Sequence, residues 1–263
     1  QPGSSWWRAA SLEGLADGIL RRKPDPASLK SVQDLLFRLF ENPATPIRRA
    51  ALNLLQASHV GEGAGYQRVQ QRSLAAAADR SVDAEQRSDA ISFLALVRPG
   101  DHLELLKRLV DVQEPAPVQI AATRALGKIP GEAVGTFLIS KWRVLVGPVR
   151  SQAAEAVLQD PARFPQILRA LQHEEVQAWT LNFSQKRRLV MNRDPKIRES
   201  ARAILDEKPG ERDAAVKRYQ AALSADGDSA RGKRVFQEIC AKCHKLDGIG
   251  AEKAQPVQMA LRV

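Results

Sequence analysis

Apolar and polar positions along this chain repeat with a helical period, and the same kind of segment returns. Arg8-Ala9-Ala10-Ser11-Leu12-Glu13-Gly14-Leu15 aligns with Arg48 through Leu55 and Arg87 through Leu94; the frame continues at Gln119–Leu126, Arg150–Val157 and Arg198–Leu205. Each segment starts on a polar residue, has small or apolar residues three and four places on, and usually a leucine at the seventh step. That spacing is one face of an α-helix. The segments recur roughly every 30 to 50 residues, the period of helical-repeat arrays. Their entries are marked too. Asp194-Pro195-Lys196-Ile197-Arg198 offers a capping acid followed by proline in the first turn, and Pro46, Pro117 and Pro148 repeat the proline. Between these segments the pattern predicts partner helices, among them Ser31–Phe40, His102–Val110 and Pro165–Leu171, each ending in a Gly-, Pro- or Asp-containing turn.

This pattern resembles HEAT repeats, about six of them over most of residues 1–222. The resemblance implies an all-α solenoid, in which stacked pairs bury faces that no single pair can bury alone. It also implies a ladder of Asp and Arg between neighbouring repeats, so Arg48, Arg87, Arg150 and Arg198 are expected to be structural. Trp6, Trp7, Trp142 and Trp179 are expected to pack between helices. His59, His102 and His173 stand in no metal-ligand spacing and are assigned no site.

The chain has 263 residues, enough for one large domain or one domain and part of another. No apolar run approaches the roughly 20 residues needed to cross a bilayer. Forty Lys plus Arg against thirty Asp plus Glu give a net charge of +10, which brings anionic partners, nucleic acid included, into consideration. Runs such as Arg21-Arg22-Lys23 and Lys186-Arg187-Arg188 read more simply as solvated helix ends. The start at Gln1-Pro2-Gly3 shows no signal peptide, which is silent about compartment. Hydrolase and phosphate-binding motifs are missing from the sequence.

Composition changes after Leu223. The sequence divides into a helical-repeat domain at 1–223, a polar linker at 224–229 and a further segment at 230–263 that holds both cysteines of the chain. They stand as Cys240-Ala241-Lys242-Cys243-His244, the attachment sequence of a c-type haem. Two thiols about one helical turn apart suit the two vinyl groups of a porphyrin, and the adjacent imidazole suits the iron. Cys240 and Cys243 are thus the candidate thioether residues and His244 the candidate proximal ligand. Three other readings of these residues stay open: coincidence, half of a zinc site lacking a second Cys pair, and a redox dithiol lacking its βαβ context.

Gly232, Phe236 and Cys240 lie four residues apart, which resembles the first helix of class I cytochromes c, where glycine and aromatic pack against the C-terminal helix. A HEAT array followed by this motif resembles the C-terminal region of large planctomycete-type haem-binding proteins labelled membrane-bound dehydrogenases. That family implies an exported, periplasmic protein passing electrons through haem c from an upstream dehydrogenase domain to a redox partner protein. No substrate chemistry falls on the present residues, because the family's propeller is not among them. The distal methionine of the family has no clear counterpart: Met259 follows His244 too closely for the chain to round the porphyrin, so the sixth ligand is unassigned. The sequence stops at Val263, and the cytochrome domain is expected to be incomplete. The alternative function is a HEAT-repeat scaffold binding protein or nucleic acid without haem.

Overall fold

A computed structural model describes residues 5–22, 29, 32–58, 63–205, 216–220, 227–241 and 245–250. They are helical, with no strand among them, and fall into two units, Gln1–Asp206 and Glu207–Val263. The expected boundary at Leu223 lies outside the described residues.

The first unit runs α1 Ser5–Arg22, α2 Gln33–Phe40, α3 Thr45–Ala57, α4 Ala64–Ala78, α5 Ala84–Leu94 and α6 Leu103–Arg108. It continues through α7 Ala116–Gly127, α8 Glu132–Ser140, α9 Gly147–Leu158, α10 Phe164–Gln172, α11 Phe183–Val190 and α12 Pro195–Leu205. Every repeated segment of the sequence sits in a helix: α1, α3, α5, α7, α9 and α12. In α3 the buried set Ile47, Ala50, Ala51, Leu54 and Leu55 is the predicted face. Pro46, Pro117, Pro148 and Pro195 stand in first turns, where a missing N–H removes no helical bond. Asp83 caps α5 by accepting from the Glu85 and Gln86 amides, and Asp194 Oδ1 accepts the Lys196 N–H at 2.9 Å.

Packing joins these helices in rows. α3 packs on α5, α5 on α7 and α7 on α9, while α2 packs on α4 and α8 on α10. The close approach is made by small residues. Ala121 and Ala122 of α7 and Ala153 and Ala154 of α9 are buried, and a Cβ added at Gly127 would lie 3.0 Å from that of Ala156. One buried cluster gathers Phe37, Phe40 and Tyr66 around Phe93, with ring centroids 6.2, 4.9 and 5.4 Å from it. A longer cluster extends from Ala77 to Ala201.

The row changes where the sequence pattern does not. The aligned segments place Arg198–Leu205 next after Arg150–Val157, yet it is α11 that packs on α9, while α12 packs on α10 and α11. Gln185 of α11 donates to Ser151 O and to Glu155 Oε1 of α9, and Arg188 pairs with Glu155 at 2.8 Å. A capping box between Asn182 and Gln185 starts α11 and marks it in the sequence.

The expected arginine ladder is present in part. Arg48 of α3 meets Asp89 of α5 at 2.7 Å, both buried, and Arg87 meets Glu114 at 2.7 Å. Burial alone would raise the Glu114 carboxyl; hydrogen bonds from Arg87 and Arg80 outweigh it and hold that group below the usual carboxylate range. Among the described residues Arg150 and Arg198 meet no such acid. Arg150 donates to Trp142 O and Leu145 O, and Arg198 to Asn192 O and Arg193 O. Arg48 shares that habit, with Nη1 near Asn42 O and Pro43 O, and Arg87 donates to Ala77 O. These side chains therefore close the turn that precedes their own helix.

Arg163, which the sequence did not single out, does the most of this. It is fully buried and donates to the carbonyls of Gly127, Ile129, Gly131 and Ala156, gathering the end of α7, the start of α8 and the end of α9. Asp160 completes the knot by accepting the Gly131 N–H at 2.7 Å, and Gly131 has φ 95°, a left-handed value that favours glycine. Burial pulls the Arg163 guanidinium below its ordinary value, against the opposing effect of Asp160.

The tryptophans depart from expectation. Trp142 is buried, whereas Trp6, Trp7 and Trp179 are 70%, 49% and 77% exposed. Trp6 and Trp7 open α1, whose buried positions are Ala9 and Ala16, and Trp179 sits in a short turn, Ala178–Thr180. None of the three is on a face that another described helix covers.

Replacing Arg163 with Met strands four carbonyls at once and is expected to cost about 3 kcal/mol or more in urea unfolding. Removing the exposed partner Glu85, 3.6 Å from Arg49, is expected to cost under about 1 kcal/mol. A second prediction concerns His102, which is buried with its Nε2 3.2 Å from the Gln70 amide nitrogen. That amide donates only to a neutral ring, and burial lowers the imidazole pKa, with Asp101 opposing. Unfolded chains then bind more protons, so stability falls as pH drops below about 6.5. Unfolding midpoints measured across that range are expected to lose part of this slope in His102→Gln.

Candidate functional site

The second unit begins its described helix where the sequence expected a linker to end. Asp228 Oδ1 accepts the Arg231 N–H at 3.0 Å and caps α13, Ser229–Val235. Without a break the backbone widens into a π-helical segment, Phe236–Cys240, closed by the Ala241 N–H donating to Phe236 O at 2.8 Å. A tight turn follows, in which Leu246 and Ile249 exchange backbone hydrogen bonds of 2.9 Å. Asp247, Gly248 and Gly250 have φ of 49°, 78° and 115°. Glycine supplies two of these three left-handed residues at no steric cost.

Cys240 is the last residue of the π segment and is half-buried, as is Phe236 one turn before it. Gly232 is exposed, and a Cβ built there would meet nothing within 4 Å. Cys243, His244 and Met259 lie outside the described residues. Of the three predicted haem residues the structure therefore describes Cys240 alone, and it places no described neighbour against the glycine.

Apolar residues near Cys240 in the sequence are exposed. Val235, Ile239 and Leu246 are 47%, 67% and 38% exposed, and no described residue of this unit is buried. Val235, Ile239 and Leu246 thus leave apolar surface in contact with water among the described residues of this unit. Exposed apolar side chains close to Cys240 in the sequence suit an apolar group such as a porphyrin. Arg231, Lys233 and Arg234 on α13 are exposed, so water solvates their charge. No group of three or more His, Cys, Asp or Glu gathers among the described residues in a way that would hold a metal ion, and no described helix is long and apolar enough to cross a membrane.

The first unit carries a feature that the sequence pattern did not single out. A groove of about 830 Å³ opens among α1, α3, the end of α5 and Lys128, and a second cavity of about 290 Å³ shares Asn53, Gln56, Ala95 and Lys128 with it. Its lining mixes polar Glu13, Asp17, Asn53, Gln56 and Lys128 with apolar residues such as Ala16, Leu55 and Ala95. They give no motif, and only the stacking of α3, α5 and α7 brings them together.

No protein-family model, curated protein or solved structure matches this chain.

Proposed function

We propose that this chain carries a covalently attached c-type haem on a HEAT-like solenoid and transfers electrons through it. The observation that supports the reading most is the position of Cys240. It ends a helix that Gly232 and Phe236 share at four-residue spacing, and exposed apolar residues flank it. The sequence then supplies Cys243 and His244 in the attachment frame. Each thiol adds across one vinyl group, sulfur bonding to one carbon and its hydrogen passing to the other, so attachment needs no oxidant. His244 is assigned to the iron through one imidazole nitrogen, which requires the neutral ring. When bound, the haem supplies a one-electron couple between ferric and ferrous iron.

The chain's own residues do the rest. Asp228 fixes the start of α13, and the helix carries Cys240 at its end, so the attachment point is held by backbone rather than by a loop. Val235, Ile239 and Leu246 would exclude water from the apolar edge of the porphyrin, which tunes a potential through local polarity. The first unit reads as a HEAT-like array. Successive α3, α5, α7 and α9 in one row, with partner helices beside them, support that reading. A stack of this kind is stiff and suits holding a redox unit at a set distance from an upstream dehydrogenase domain. Attachment of a c-type haem implies export, so the proposed compartment is the periplasm or its equivalent. The family proposal is the haem-binding dehydrogenase-like group that the motif and repeats resemble.

Exported together with a cytochrome c maturation system, the chain is expected to give a haem-stained band that survives denaturing electrophoresis. The double change Cys240→Ala and Cys243→Ala should abolish the band, and His244→Ala should keep covalent pigment while shifting the Soret maximum. A wild-type chain that folds, is exported and carries no covalent pigment would remove the proposal.

A further inference from the structure

The groove in the first unit has two charged sides and an uncharged middle. On α1, Glu13 and Asp17 stand one turn apart and exposed, and neither has a cationic partner among the described residues. Arg124 and Lys128, also one turn apart, rise from the end of α7; both line the adjoining cavity, and Lys128 lines the groove as well. Arg124 donates to the side-chain Oε1 of Gln152 at 3.3 Å and Lys128 to Ala95 O at 3.2 Å, and among the described residues neither meets a carboxylate. One of the three ammonium donors of Lys128 is thus used. Partial burial, with repulsion from Arg124 adding to it, pulls the Lys128 ammonium below the ordinary lysine range. Between the charges lie the exposed amides of Asn53 and Gln56 over a buried floor that includes Ala16 and Leu55.

Each component selects for the same kind of occupant. Amides that both donate and accept match a peptide backbone, and small floor residues leave space for its side chains. Glu13 and Asp17 disfavour a uniform polyanion, so the +10 charge of the chain does not make this groove a nucleic-acid site. We propose that the groove binds an extended segment of a partner protein carrying both charges, with a carboxylate on Arg124 and Lys128 and a cationic side chain between Glu13 and Asp17. Complementary charges at both ends would fix the direction of the segment and speed its capture. The inference is independent of haem, because every residue in it belongs to the first unit.

The test is selection of a displayed random-peptide library on the full chain, followed by anisotropy of the labelled peptides. Recovered peptides are expected to combine Asp or Glu with Lys or Arg at a recurring spacing. Lys128→Glu and Glu13→Lys should each weaken binding about tenfold, with unchanged circular dichroism, and a peptide with the matching charge reversed should recover the loss. Peptides insensitive to both variants, or no enrichment at all, overturn the proposal. So does duplex DNA that displaces the peptide and depends on Lys128. A dimer seen by light scattering and lost in Lys128→Glu would make a second copy of the chain the occupant and overturn it equally. Haem staining reads neither outcome, so this inference and the haem proposal fail separately.

Discussion

Carbonyl groups left over where helices end are the constraint on which the first unit depends. Packing helices side by side takes the turns between them out of water, and each turn exposes C=O groups with no helical donor. Here guanidinium groups meet that need. Arg48, Arg87, Arg150 and Arg198 each reach back to the turn before their own helix, and Arg163 serves carbonyls from three successive elements. Arginine suits the task because its planar fork keeps its charge when desolvated and offers several donors in fixed directions. Where the space allows, the same group also meets an acid: Asp89 for Arg48 and Glu114 for Arg87.

Five of the chain's forty Lys and Arg residues are thus engaged with carbonyls of the fold itself. A cation spent on buried carbonyls is unavailable to an anionic ligand, and the net charge alone overstates the attraction for nucleic acid. What remains on the surface is divided. Arg49 is neutralised by Asp89 and Glu85, and Arg188 by Glu155. Among the described residues Arg124 and Lys128 face no carboxylate, and Glu13 and Asp17 face no cation. The groove owes its two-signed character to that pattern of pairing, not to any local excess.

The second unit follows the opposite logic. None of its described residues is buried, and Val235, Ile239 and Leu246, near the one described thiol in the sequence, are exposed. Covering exposed apolar side chains offsets part of the entropy cost of ordering a segment. A covalent apolar group would change that balance, which connects the attachment chemistry to the folding of the unit.

The helices were legible because their signals are local. Proline in the first turn, a capping acid and a buried face at three- and four-residue steps act within one helix, and α3, α5, α7 and α9 lie where that pattern puts them. The Cys240-Ala241-Lys242-Cys243-His244 spacing was legible for a like reason, since the haem attachment proposed for it needs only residues adjacent in the chain. Which helix follows α9 in the row was not: the aligned segment of α12 looks like its successor, but α11 takes the place through Gln185 and Arg188. The burial of a residue also depends on whether a neighbour arrives, so Trp142 and Trp6 look alike in sequence and differ in the fold. Arg163 and the groove belong to the same class. Four carbonyls from distant turns, or charges from α1 and α7, come together only when helices stack, and no one-dimensional period encodes that meeting.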